Sequence, residues 1–264
     1  KLSTGANVDV LSDTNVTSTG YENVTINTGA GTGVAQLDTA TLTITPDDTS
    51  GTAISLTVLG TNSFDIATSL TTTSTGLMTV DASGMTAQAA GTDTLVITST
   101  SQGTSGTANI TGSPGEDTIT VGNFASTITG AAGNDLLTGG TAIDSITGGA
   151  GDDTITGSGG NDIISGGAGN DSITAAGTSA NVDAGAGNDT VNMDATLSSG
   201  DTVSGGDGTD ILAIDTAAAT ASSSEGVTGF ETFRMDTAAL TQDMVQFTNN
   251  TGFTTIVANV LGAH

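Results

Sequence analysis

The sequence contains no cysteine and no tryptophan, only two prolines, and only two basic residues, Lys1 and Arg234. Without cysteine, no disulfide can staple the fold and no thiol can serve as nucleophile or soft-metal ligand. Aromatic residues make up 3% of the chain, which excludes a core of large rings. Burial must come from Val, Ile, Leu and Ala, with Thr lining strands. The single histidine, His264, is the last residue. No HExxH and no GxSxG motif occurs, so the local signatures of zinc proteases and serine hydrolases are missing. One Tyr and six Phe leave few of the aromatic platforms on which glycosidases seat sugars. No run of about twenty apolar residues is present, so no membrane-spanning helix is expected. A formal net charge of -26 repels nucleic acid phosphates and anionic membrane surfaces. The chain is therefore read as not an enzyme, with no nucleic acid partner and no membrane insertion.

What the sequence has in quantity is glycine, 39 residues, and carboxylate, 28 residues. High glycine without a period would point to low complexity. Here the glycines recur at fixed spacing, which points to repeated tight turns. Half of the 28 acids fall in residues 112–213, also at fixed spacing. Two basic residues cannot neutralise them, so bound cations are the candidate counter-charge.

Residues 112–192 divide into nonapeptides without a gap, and two more units follow a three-residue interruption at Met193, Asp194 and Ala195. Position eight holds Ile119, Ile128, Leu137, Ile146, Ile155, Ile164, Ile173, Val182, Val191, Val203 and Leu212, an aliphatic in all eleven units. Position six is Asp in nine of the eleven, the exceptions being Ser126 and Ala180. A two-sided roll takes two nonapeptides per turn, so equivalent loops recur in every second unit. One edge then carries Asp117, Asp135, Asp153, Asp171 and Asp189, followed after the interruption by Asp210. The other carries Ser126, Asp144, Asp162, Ala180 and Asp201, so both defects share one edge.

Calcium takes about six to eight hard oxygen ligands at roughly 2.3–2.6 Å. A loop reading G-G-x-G-x-D offers backbone carbonyls, turned inward by glycine conformations, and one charged oxygen. Stacked strands lie about 4.8 Å apart, so loops of consecutive turns can share an ion. Units such as GGAGDDTIT (148–156) and GGAGNDSIT (166–174) carry this pattern, and the array resembles the RTX calcium-binding β-roll. The resemblance implies that Asp117, Asp135, Asp153, Asp171, Asp189 and Asp210 supply ligands along one edge. Carbonyls near Gly133, Gly151, Gly169 and Gly187 complete the sites. On the weaker edge Asp144 and Asp162 hold one site, with Asp201 beyond the second defect. It also implies about four to six Ca2+ ions, mostly on one edge. Calcium should control folding, because the metal-free array stacks carboxylates over a thin core.

The flanks read as strands between turn residues: 24–27 (VTIN), 41–45 (TLTIT), 54–59 (ISLTVL), 94–98 (TLVIT) and 254–260 (TTIVANV). Pro46-Asp47-Asp48, Thr61-Asn62-Ser63, Asp81-Ala82-Ser83-Gly84 and 217–224 read as loops. Asp9, Asp38, Asp65, Asp81 and Asp93 have no repeat behind them and read as surface loop residues. The expected fold is all-β. A parallel β-roll at 112–213 is flanked by a Thr-rich β-solenoid or β-sandwich module at 1–111 and the start of a further module at 214–264. Solenoid is preferred in the flank because it stacks directly on the array. VTGFETFRM (227–235) echoes STGYENVTI (18–26), so tandem modules within a longer protein are expected.

Beyond the array, the Thr/Ala/Gly/Val-rich strands, the scarcity of Lys and the TGFETFRM element resemble type I-secreted bacterial surface-layer (S-layer) proteins. That implies an extracellular, cell-surface protein whose partners are further copies of itself and surface polysaccharide. An adhesin or biofilm-matrix module, or the tail of a secreted toxin or hydrolase, are the other readings of the array.

Overall fold

In a computed structural model the chain forms two compact units, Lys1–Ala142 and Ile143–His264. The structure describes residues 7–9, 16–19, 23–27, 42–45, 54–60, 64–66, 77–85, 95–98, 106–177, 179–193, 197, 200–214, 226–235 and 252–258. The proposed loops at 46–48, 61–63 and 217–224 lie outside them.

The first unit contains β1 (Asn7–Asp9), β2 (Val16–Thr19), β3 (Asn23–Asn27), β4 (Leu42–Thr45), β5 (Ile54–Gly60), β6 (Phe64–Ile66), β7 (Leu77–Met85), β8 (Leu95–Thr98), β9 (Thr107–Thr111), β10 (Thr118–Thr120), β11 (Ser126–Ala132) and β12 (Leu136–Thr138). Odd-numbered strands from β1 to β11 follow one another in one sheet, and β6, β8, β10 and β12 in a second, with β2 and β4 paired apart. Every pairing in this unit is parallel. Parallel pairing decides between the two expectations for the flank. A sandwich is built on antiparallel sheets, whereas strands that alternate between two parallel sheets make a solenoid.

The second unit repeats the arrangement with β13 (Ser145–Ala150), β14 (Thr154–Thr156), β15 (Ile163–Ala168), β16 (Ser172–Ala175), β17 (Asn181–Ala186), β18 (Thr190–Met193), β19 (Thr202–Asp207), β20 (Ile211–Ile214), β21 (Val227–Thr228), β22 (Thr232–Met235) and β23 (Thr255–Ala258). Its pairings are also parallel throughout. No described residue is helical. The protein is an all-β parallel solenoid.

Register explains the sequence period. Ile155 pairs with Ile173, and Ile173 with Val191, each step spanning two nonapeptides. Val191 then pairs with Leu212, and Val182 with Val203, each step longer by the three-residue interruption. That interruption is thus absorbed between β18 and β19, and position eight stays in line. All eleven position-eight side chains are at most 1% exposed. The same inward row continues into the flanks, to Ile97 beside Ile119 and to Phe233 beside Leu212. Flanking turns are uneven: Asn7 pairs with Thr25, but Asn23 with Ser55 and Leu77 with Thr107. That irregularity hides the solenoid from a search for a fixed period.

Asp81-Ala82-Ser83-Gly84 is a correction to the loop reading, since all four lie within β7. The turn chemistry there serves a bulge. Opposite this stretch the register shifts between Thr57 and Leu59, and Asp81 Oδ1 accepts bonds from the Ser83 N–H at 3.0 Å and the Ser83 hydroxyl at 2.6 Å. Asp9 and Asp65 likewise sit in strands, β1 and β6.

With a core one side chain deep, each inward aliphatic stacks on its neighbours above and below. Ile173→Ala should lower stability by about 2–5 kcal/mol in denaturant unfolding with calcium present, and a loss below roughly 0.5 kcal/mol would contradict this packing.

Candidate calcium-binding edges

The aspartates of position six come out of the loops buried. Asp117, Asp135, Asp144, Asp153, Asp162, Asp171, Asp189, Asp201 and Asp210 are each at most 3% exposed. Nine buried carboxylates face a sequence with two basic residues, so ion pairing within the protein cannot compensate them.

One oxygen of six of these carboxylates has a structural task. Along the first edge, the Asp117 N–H donates to Asp135 Oδ1 at 2.8 Å in the first unit. In the second unit the N–H groups of Asp153, Asp171 and Asp189 donate to Oδ1 of Asp171, Asp189 and Asp210, each at 2.8 Å. Along the other edge, the Asp144 N–H donates to Asp162 Oδ1 at 2.9 Å and the Ala180 N–H to Asp201 Oδ1 at 2.8 Å. Each of these accepting aspartates therefore clamps the backbone of the turn before it. Ala180 keeps its place in this bonding because it needs to supply only an N–H.

The other oxygen is left over. Oδ2 of Asp162, Asp171, Asp189 and Asp210 is buried and accepts no hydrogen bond. On the first edge this oxygen and a carbonyl of the following turn both crowd the same loop glycine. A Cβ on Gly166 would collide with both Asp171 Oδ2 and the Ala184 carbonyl, and one on Gly148 with Asp153 Oδ2 and the Gly166 carbonyl oxygen at 2.6 Å. Two partial or full negative charges aimed at one point are repulsive unless a cation or a proton lies between them. The donor set, carboxylate and carbonyl oxygen, is the hard-oxygen set that calcium takes. The residues present therefore fit the ion. Bound there, calcium would supply the positive charge that the chain lacks.

No cluster of three or more His, Cys, Asp or Glu occurs among the described residues, so carbonyls must make up the ligand number. Gly133, Gly151, Gly169 and Gly187, the glycines expected to help, hold positive φ of 115°, 132°, 136° and 143°. The carbonyls brought onto the carboxylates belong instead to the first residue of the next loop, Gly166 and Ala184. At Gly169 the close approach is to the turn below: a Cβ there would collide with the Gly151 carbonyl. Sequence reading missed the first-position carbonyls because a backbone oxygen carries no residue identity, and Ala184 serves as well as glycine.

The two edges differ in chemistry as well as in completeness. A Cβ on Gly157 would meet Asp162 Oδ2 at 2.6 Å and the Ile164 Cδ1 methyl at 3.1 Å, carbon in place of the carbonyl. In the defective unit 121–129, Val121 and Phe124 are 5% exposed and fill the loop with carbon, while the Ser126 hydroxyl donates back to the Phe124 carbonyl at 3.0 Å. Asp117 differs too, because Ser113 stands where units further along the same edge have Gly149, Gly167, Gly185 and Gly206. The Ser113 N–H donates to Asp117 Oδ2 at 2.7 Å and its hydroxyl to Oδ1 at 2.8 Å.

A second row, not anticipated from the sequence, runs through position five. The Asn170 N–H donates to Asp152 Oδ1 at 2.6 Å, the Asn188 N–H to Asn170 Oδ1 at 2.8 Å and the Thr209 N–H to Asn188 Oδ1 at 3.0 Å. These bonds run from each turn to the one before it, opposite to the aspartate row, so the loops are clamped in both directions. The signal was the recurrent Asn or Asp immediately before the ligand Asp.

A family model for the RTX calcium-binding nonapeptide repeat (four copies) matches residues 111–146, 138–173 and 198–213. No curated protein and no solved structure matches the chain. The chain thus carries RTX calcium-binding repeats on a parallel solenoid. The unmatched stretch between the matches, 174–197, contains the Ala180 unit and the three-residue interruption.

Burial, opposed by the backbone hydrogen bond and aided by the neighbouring carboxylate, raises Asp162 and Asp171 from 3.8 to about 6. Asp189 and Asp210 are raised for the same reasons. The metal-free fold therefore binds protons more tightly than the unfolded chain does. The stability this contributes is full below about 3.8 and is lost as pH rises through about 6. Circular dichroism of chelated protein should accordingly show more strand on acidification from neutral pH through that window, while the midpoint for calcium binding to the folded chain rises because protons compete for the same oxygens. Asp171→Asn should raise that calcium midpoint by about tenfold, whereas Asp183→Asn, at an exposed position, should leave it unchanged.

Proposed function

We propose that this chain is a structural, non-catalytic calcium-binding subunit of an extracellular assembly, an S-layer lattice or a surface filament, in which calcium drives folding and self-association. The observation that carries the reading is the row of buried, unbonded carboxylate oxygens that crowd the same loop glycines as backbone carbonyls in the second unit. Such a row is costly without a divalent ion and favourable with one. A chain built this way is poorly folded where calcium is scarce and folds where it is plentiful. That suits export through a type I route into a calcium-rich medium, the route typical of RTX proteins.

Self-association has a structural support of its own. Among the described residues β23 is the last strand of its sheet, paired to β22 on one side. Ile256 and Val257 on it are 57% and 41% exposed. A strand edge that no described residue covers, with exposed aliphatics, is a template for another strand, and a second copy of the chain is the partner proposed. Surface polysaccharide is the proposed partner for attachment to the bacterial cell.

Electron microscopy and light scattering of the purified chain in millimolar calcium and in chelator test the reading. Ordered sheets or filaments that form with calcium and dissolve in chelator are expected. Folded monomers persisting at high calcium would overturn the assembly reading and favour an adhesin module.

A further inference from the structure

The nonapeptide pattern stops at 213, yet the aspartate row does not. The Asp210 N–H donates to Glu231 Oε2 at 2.8 Å. This is the bond that the N–H groups of Asp153, Asp171 and Asp189 make to the aspartate of the next turn. Strand pairing shows the equivalence: Ile211 pairs with Thr232 and Leu212 with Phe233, so Glu231 stands one turn above Asp210. In sequence, Glu231-Thr232-Phe233 takes positions six to eight of a unit, and Phe233 is fully buried where the array has an aliphatic.

The oxygen arrangement of the first edge is also reproduced. Asp210 is 0% exposed, and its Oδ2 accepts no hydrogen bond. A Cβ on Gly205 would collide with the Gly229 carbonyl and meet Asp210 Oδ2 at 2.8 Å, so the two oxygens converge. Gly229 takes a φ of 72°, which L side chains adopt rarely. Asp210 is raised chiefly by burial, with Asp189, Glu231 and Asp207 adding like charge. The charges that act on Asp210 are thus negative ones.

We propose that Asp210, the Gly229 carbonyl and Glu231 form a further calcium site, outside the nonapeptide array, that fastens β22 and β23 to the end of the roll. It rests on the calcium-driven folding reading and extends it to a segment without the repeat. The longer glutamate reaches the Asp210 N–H from a loop, TGFE, that has lost the other consensus glycines. Thr254 and Thr255 donate their N–H groups to the Glu231 carbonyl at 2.8 and 3.1 Å, so ordering this loop also orders the start of β23.

Hydrogen exchange of the full chain, with and without calcium, reads each segment separately. Calcium should protect both 145–210 and 226–258. Glu231→Gln should bind one calcium ion fewer per chain by native mass spectrometry, lose protection in 226–258, and keep it in 145–210. Glu231→Asp should restore part of the protection. If calcium protects 145–210 of the unaltered chain but leaves 226–258 unchanged, the further site is wrong and calcium-driven folding stands. If neither segment responds, both are wrong. An unchanged ion count in Glu231→Gln with unchanged protection would also overturn the site. Should that variant not fold, the exchange of 226–258 in the unaltered chain decides alone.

Discussion

Each turn of the second unit's first edge buries a carboxylate whose two oxygens are treated differently, and the rest of the fold depends on that difference. One oxygen holds the backbone N–H of the preceding turn, at 2.8 Å from Asp153 to Asp171 and onward to Asp210. The other is buried and unbonded for Asp171, Asp189 and Asp210, and for Asp171 and Asp210 it borders the same glycine as a carbonyl of the following turn. The first contact stacks the turns. The second makes the stack unfavourable until a positive charge arrives. A core of single aliphatics, one per nonapeptide, is too thin to outweigh several desolvated carboxylates. On the proposed reading, stability is conditional on the medium, and the surplus of negative charge is the means of that condition.

The two edges divide the work. In the second unit the first edge is oxygen-lined at Gly148, Gly166 and Gly205. The second edge has loops filled by carbon as well as carboxylate loops, Val121 with Phe124 in the first unit and Ala175 with Ala180 in the second.

Much of this was legible in the sequence, and the reasons are specific. The aliphatic at position eight and the aspartate at position six are set by side-chain chemistry, so Ile155, Ile173, Asp171 and their equivalents announce themselves by spacing. The turn of two nonapeptides follows from counting, and the register Ile155 to Ile173 agrees. What stayed hidden depends on backbone or on uneven spacing. The Gly166, Ala184 and Gly229 carbonyls have no side-chain signature. Glu231 lies a full turn beyond Asp210, in a loop without the glycine pattern, and only the pairing of Thr232 with Ile211 shows what it replaces. The solenoid of the flank was masked by turns of unequal length, and Asp81-Ala82-Ser83-Gly84 imitated a loop because a bulge uses the same residues.

If calcium is the missing counter-charge, binding and folding must be one event. Titrating calcium into chelated protein, with bound metal and far-ultraviolet circular dichroism recorded on the same samples, tests this most directly. The account predicts that strand signal appears in step with the uptake of about four to six ions. A chelated protein at neutral pH with the spectrum of the calcium-saturated one would contradict it.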